Sequence, residues 1–199
     1  EVILRLAKAL KFTFAISDRN GRIPQIGDND SGRVFPFSNN TTDKRFVFAL
    51  YSILTGDNSA CDYFGMRPAS SQTKAIFPEL KIDFIDYHNE IEASTTAFGD
   101  FGLFVRRQSD YLFTVRCGSV GQRGKGGHSH NDQLSITLSY RGREFIVDPG
   151  TYLYTSDPQA RNRFRSVLAH STILHGDEEQ NPFGEKTSDD LFWIKDNRT

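Results

Sequence analysis

Three of the histidines, His128, His130 and His170, sit in two short motifs, Gly127-His128-Ser129-His130-Asn131-Asp132 and Ala169-His170-Ser171. An extended backbone alternates its side chains with period two, so His128, His130 and Asp132 are expected on one face of a strand. Imidazole and carboxylate presented together suit a divalent ion. Zinc takes three or four such ligands near tetrahedral geometry, so the set must be completed from elsewhere, with Asp148 and His170 as the candidates. A His-x-His pair on a glycine-rich loop is also what a backbone-bonded surface pair looks like, and spacing alone leaves both readings open.

A second group follows. Asp148-Pro149-Gly150-Thr151-Tyr152-Leu153-Tyr154 delivers two tyrosines, and Arg161-Asn162-Arg163-Phe164-Arg165 places arginines at every second residue. Guanidinium forks match carboxylate or sulfate, and a tyrosine can stack on a sugar or exchange a proton, so the pairing suits an anionic saccharide. The competing reading is a solvated basic edge strand with core tyrosines. The basic loop Gly121–Gly127 lacks the offsets and context of a phosphate-binding loop. Asp28-Asn29-Asp30-Ser31-Gly32 looks like a calcium loop, but its glycine falls one place early and no glutamate closes it, so it reads as a turn with capping aspartates. No Gly-x-Ser-x-Gly motif anchors a serine hydrolase.

The elements that must position these residues change character along the chain. Val2–Leu10 carries apolar residues at helical spacing, and Asp43 can cap a second helix through Phe46, Val47, Leu50, Ile53 and Leu54 that ends near Gly56. Beyond a composition shift near residues 56–74 the runs turn β-like: Ala75–Phe77, Gly102–Val105, Leu112–Arg116 and Leu134–Tyr140. The last pairs across Arg141-Gly142-Arg143 with Glu144–Val147 in a hairpin. Further runs occur at Ser171–Leu174 and Leu191–Ile194. A mainly β fold follows, an antiparallel sandwich or barrel behind a short helical stub.

The chain has 199 residues, enough for one full domain with room for part of another. Its 24 basic and 25 acidic residues leave a net charge of −1, so no overall field draws nucleic acid or an anionic membrane. No run approaches the ~20 apolar residues a membrane span needs. Cys61 and Cys117 form no Cys-x-x-Cys pair, which argues against a zinc ribbon or redox pair and leaves a single disulfide open. Starting at Glu1, the sequence reads as a segment of something longer, so the lack of a leader says nothing about compartment. The sequons at Asn39 and Asn197 read as incidental.

Taken in order, Gly-Gly-His128-Ser-His130-Asn-Asp132-Gln-Leu-Ser, Val-Asp148-Pro-Gly-Thr-Tyr152, Arg-Asn-Arg-Phe-Arg165-Ser and Ala-His170-Ser-Thr resemble the central β-sandwich of the heparinase II/III-like polysaccharide lyases. The resemblance is close over residues 94–183, and Gly27-Asp28-Asn29-Asp30 also looks like that family's link from its helical domain. It implies an upstream (α/α) toroid ending within residues 1–60, a sandwich over 61–199, and an acidic polysaccharide bound between them. The reaction implied is β-elimination at a uronate, and the compartment implied is periplasmic or secreted. His130, Asp148 and His170 match the family's metal ligands, one divalent ion with zinc the expected identity. His128 matches the histidine that reaches the cleft and Tyr152 a cleft tyrosine, both expected to be catalytic. Asn131, Tyr154, Arg161, Arg163 and Arg165 are the expected sugar-binding residues. Asp132 is then a local hydrogen-bonding residue. The family's catalytic tyrosine and its carboxylate-neutralising residue come from the toroid, so the 199 residues alone are expected to be inactive or nearly so.

Three other readings compete. A metallo-β-lactamase-like hydrolase also starts from His-x-His-x-Asp, but it wants a histidine where Gln133 stands. A cupin-like barrel wants a glutamate where Leu134 and Ser135 stand. The non-enzymatic alternative is a β-sandwich that binds acidic glycan without cleaving it. Turnover by a full-length parent separates that alternative from the lyase.

Overall fold

The structure is a computed structural model and describes residues 1–29, 43–66, 92–121, 125–183 and 191–194. Helix α1 (Val2–Ala15) runs beyond the expected Leu10, with no glycine or proline to stop it before the turn at Asp18. Helix α2 (Arg45–Thr55) ends as expected at Gly56, whose left-handed φ of 75° closes the last turn. At its start Asp43 accepts the Arg45 N–H at 2.9 Å. A short helix, α3 (Ser59–Tyr63), follows. Phe14 of α1 meets Phe48, Tyr63 and Phe64 edge-on, at centroid distances of 5.9, 5.3 and 5.7 Å, and these rings centre the first core.

The strands β1 (Ser94–Phe98), β2 (Leu103–Arg107), β3 (Tyr111–Arg116), β4 (Ser135–Tyr140) and β5 (Arg143–Ile146) form an antiparallel sheet in that order. Mainly β and antiparallel, behind a helical segment, is the expected class. Leu103, Val105 and Leu112 face the end of α1 and its exit segment, packing with Phe12, Ile16, Ile23 and Ile26. Each such apolar side chain withdrawn from water contributes about 1.5–3 kcal/mol before entropy is counted. The same face carries buried Arg107, whose guanidinium lies 4.2 Å over the Phe14 ring and 4.6 Å over that of Tyr63 and donates to the Phe14 carbonyl. A single side chain thus fastens the sheet to the helical segment. Between β4 and β5, Arg141 and Gly142 both have positive φ, 49° and 70°, the two-residue turn that matches strand twist.

Four readings are corrected. Residues 128–132 form a loop rather than a strand, because a Ser129 N–H bond to the Gly126 carbonyl and a Ser135 N–H bond to the Asp132 carbonyl turn the chain before β4 begins. Residues 161–165 belong to helix α4 (Pro158–Arg165), not to an edge strand. Asp157 caps α4 by accepting the Ala160 N–H at 3.0 Å, and Pro158 starts its first turn. Ser171–Leu174 and Leu191–Ile194 are not strands; they contribute a backbone bond from Ile136 to Ser171 and an isolated bridge between Phe183 and Ile194. The run at 75–77 lies outside the described residues. Cys61 and Cys117 are both free thiols, and burial pushes that of Cys61 up. Among the described residues no helix is long and apolar enough to cross a membrane.

Candidate functional site

Four segments converge beside the sheet: the exit from α1 at 27–29, the β3–β4 loop at 127–132, the chain leaving β5 at 148–154, and α4 with the 3-10 turn Val167–Ala169 that follows it. The first two run close enough for the Asp28 N–H to donate to the His128 carbonyl at 2.9 Å. Gly27 permits this approach: its φ is 63°, and a Cβ there would stand 2.5 Å from that carbonyl oxygen. Asn131 locks the loop from behind through a bond from its backbone N–H to the Arg165 carbonyl at 2.8 Å.

His130, Asp148 and His170 present ligand atoms that all lie within 4.8 Å of one another. Both histidines are buried, and their rings stand 5.3 Å apart. Asp148 accepts the Gly150 N–H at 2.8 Å on one oxygen and brings the other to 3.0 Å from His170 Nδ1. Yet His130 Nδ1 and His170 Nε2 are buried without a hydrogen-bond partner, and the approach of His170 Nδ1 to Asp148 lacks hydrogen-bond geometry. Unpaired buried polar atoms are costly, and several of them facing one another are what a cation would satisfy. Two imidazoles and a carboxylate form a donor set that fits zinc. Asp132 lies close behind: burial pushes its carboxyl up, and Arg116, 3.9 Å away, opposes that shift. It is not part of the cluster, and neither is His128, so the expectation that His128, His130 and Asp132 share one ligating face does not hold.

Joining the two histidines is Asp28, which sequence reading treated as a turn residue. Its buried carboxylate lies 3.0 Å from His130 Nε2 and 3.1 Å from His128 Nδ1, and it receives a two-pronged bond from Arg161 at 3.0 and 2.6 Å. Burial alone would raise its pKa; the hydrogen bonds from His130 and Arg161 outweigh it and hold the carboxyl well below the usual range. His128, in contrast, keeps its side chain 55% exposed. Tyr154 stacks on it, with ring centroids 6.0 Å apart and its hydroxyl 2.6 Å from Nδ1. Phe192 closes the group, 5.1 Å from the Tyr154 ring and under the Arg161 guanidinium at 4.7 Å.

The remaining expected residues divide. Tyr152 is exposed and stacks on Phe164 at 4.9 Å, so the tyrosine that reaches His128 is Tyr154. The φ of Tyr152, 58°, is unfavourable for a bulky residue, and such strain persists where surrounding structure imposes it. Arg161 and Arg165 are buried and Arg163 is exposed, as a helix dictates: residues four apart share a face and the residue between them lies opposite. Arg165 donates to the carbonyls of Leu191 and Trp193, and burial lowers its pKa to about 10. The fully buried Asn131 amide is spent on Glu179 and Asn181. Asn131, Arg161 and Arg165 are therefore internal supports, and the expectation that they touch sugar directly is corrected. Asp28, Phe192 and Glu179 were not anticipated as site residues. The sequence signals for Asp28 were its place in the Gly27-Asp28-Asn29-Asp30 link and in a calcium-loop-like run, and neither points to histidine partners.

The sequence model of the family described as heparinase II/III-like, C-terminal, matches residues 91–190. The chain belongs to the heparinase II/III-like family. Among solved structures, heparinase III aligns with a TM-score of 0.56 and 16% identity, covering 87% of this chain and 26% of that one. Heparan sulfate lyase HepC from Pedobacter heparinus gives 0.53 and 20% identity, covering 82% of this chain and 22% of the other. At such identities the likeness is one of fold, and this heparinase II/III-like chain spans about a quarter of the length of those proteins. No curated protein matches it. The family match takes in His128 through His170 and leaves out Asp28 and Phe192.

Proposed function

We propose that this chain is the metal-bearing part of a lyase that cleaves acidic, uronate-containing polysaccharide by β-elimination in the periplasm or outside the cell. The helical segment, through α3 and the aromatic core that Tyr63 and Phe64 complete, closes a helical toroid, so the boundary expected at residue 61 moves past α3, and the sandwich that packs against it follows. The observation that carries this reading is exposed His128, paired with half-buried Tyr154 and mounted on the buried Asp28 carboxylate, beside the unsatisfied triad of His130, Asp148 and His170.

In β-elimination a base takes the proton at C5 of the uronate, the C4–O bond breaks as the C4–C5 double bond forms, and an acid protonates the departing oxygen. The step asks for side chains that exchange protons at fixed positions in reach of substrate. His128 and Tyr154 supply that chemistry on this face, and their contact makes proton transfer between them short. Tyr152 and Arg163, both exposed, offer a stacking surface and a carboxylate or sulfate contact. Held by His130, Asp148 and His170, a divalent ion supplies a fixed positive charge and a cross-link between loops. Arg161 and Arg165 keep the loops in place from inside.

The test is the metal content of the purified chain and of His170→Ala after dialysis against metal-free buffer. About one zinc or similar ion per chain, lost in the variant, is the expected result. Absence of metal from both proteins would overturn the ligand assignment and favour a glycan-binding domain without a metal centre.

A further inference from the structure

We infer that Asp28 is a positioning residue that sets the ring tautomers of His128 and His130 with one carboxylate, coupling the proton-exchanging histidine to the metal-ligand histidine. The effect on the metal rests on the reading of His130 as a ligand given above; the tautomers do not.

An ionised carboxylate accepts hydrogen bonds and donates none. Asp28 is buried and paired with Arg161, so the histidine nitrogen facing each of its oxygens must carry the proton. His130 then donates from Nε2 at 3.0 Å, which in the neutral ring leaves Nδ1 without a proton; Nδ1 is buried without a hydrogen-bond partner, and His130 belongs to the cluster with Asp148 and His170. His128 donates from Nδ1 at 3.1 Å, which leaves the Nε2 lone pair on a half-exposed ring for a substrate proton. The rival arrangement has the Tyr154 hydroxyl donate to His128 Nδ1 across their 2.6 Å contact, but it would turn a nitrogen lone pair toward the Asp28 carboxylate. In the favoured arrangement the one Nδ1 proton is shared between the Asp28 and tyrosine oxygens, and the tyrosine's own proton remains available.

The carboxylate cannot turn away from this task. Arg161 grips both oxygens, Thr151 donates to Oδ1 at 3.4 Å, and Arg161 is itself held by the Leu191 carbonyl at 3.1 Å. Carboxylates that orient metal-bound histidines in this way are worth about 10–100-fold in metal affinity. Here the same carboxylate also orients a histidine that is not a ligand.

The experiment is a long-range proton–nitrogen spectrum of the imidazoles in the nitrogen-15-labelled 199-residue chain, at about pH 8, above the ordinary imidazole range. It is run with and without zinc, beside Asp28→Asn and Tyr154→Phe. Expected are the Nδ1–H form for His128 and the Nε2–H form for His130 in the native chain and in Tyr154→Phe. In Asp28→Asn, His128 should shift toward Nε2–H and zinc binding should weaken about 10–100-fold. A native spectrum with His128 in the Nε2–H form overturns the proposal, as does a folded Asp28→Asn with unchanged tautomers and zinc affinity. Should that variant not fold, the native spectrum decides. The expected tautomers in a chain that binds no zinc would support the role of Asp28 and remove the metal reading separately.

Discussion

Replacing Arg161 with alanine strands the Asp28 carboxylate in the interior, next to two histidines that can then reorient. Losing one partner of a buried ion pair typically costs about 3–5 kcal/mol, and urea unfolding of Arg161→Ala should show a loss of that order. Arg163, two positions away and exposed, should behave in the opposite manner. Arg163→Ala should leave stability within about 0.5 kcal/mol yet elute earlier in salt from an immobilised acidic glycan. Equal stability losses in the two variants would show that the division of α4 into buried and exposed arginines is wrong. The contrast also separates two meanings of a basic residue near a sugar site: one cation meets the ligand, and the other keeps an internal anion ionised.

At the level of elements, the site depends on how closely the α1 exit segment can approach the β3–β4 loop, and glycine decides that. Gly27→Ala forces a left-handed residue to carry a Cβ, at about 1–2 kcal/mol, and drives that atom into the His128 carbonyl. It should lower both stability and zinc affinity, read by thermal melting and metal titration. Gly56→Ala is the control: its φ is 75° with nothing within 4 Å of the added carbon, so it should cost stability and leave zinc affinity unchanged. Elements were legible in the sequence where their signal was local. Strands β2 to β5 follow from apolar alternation and from a turn whose glycine permits positive φ, and α2 stops where Gly56 allows. Helix α4 carried a readable start in Asp157-Pro158, but the every-second spacing of its arginines imitated a strand. The triad His130, Asp148 and His170 was recoverable through the family's ordered motifs. Asp28 was not, because its partners His128, His130 and Arg161 lie 100, 102 and 133 positions away, and no local pattern encodes contacts at that range.

Across the whole molecule, the residues proposed to exchange protons, exposed His128 and half-buried Tyr154, lie on one face, and the resemblance assigns the groups that offset the uronate charge to the toroid. The 199-residue chain alone should therefore show no appreciable rise in ultraviolet absorbance from unsaturated uronate when given an acidic polysaccharide. Robust turnover would mean that this face is sufficient by itself. Arg107, wedged between Phe14 and Tyr63, fixes how the helical segment meets the sheet and hence where Asp28 leaves it. The long sequence separations around Asp28 also have a kinetic side. Hairpins such as β4–β5 close within microseconds, whereas contacts across a hundred residues carry a large loop-closure cost and are made late. Interactions absent from the folding transition state act mainly on the unfolding rate. The Asp28–Arg161 clasp, and any ion seated beside it, would then do little to speed folding and much to prolong the life of the folded chain.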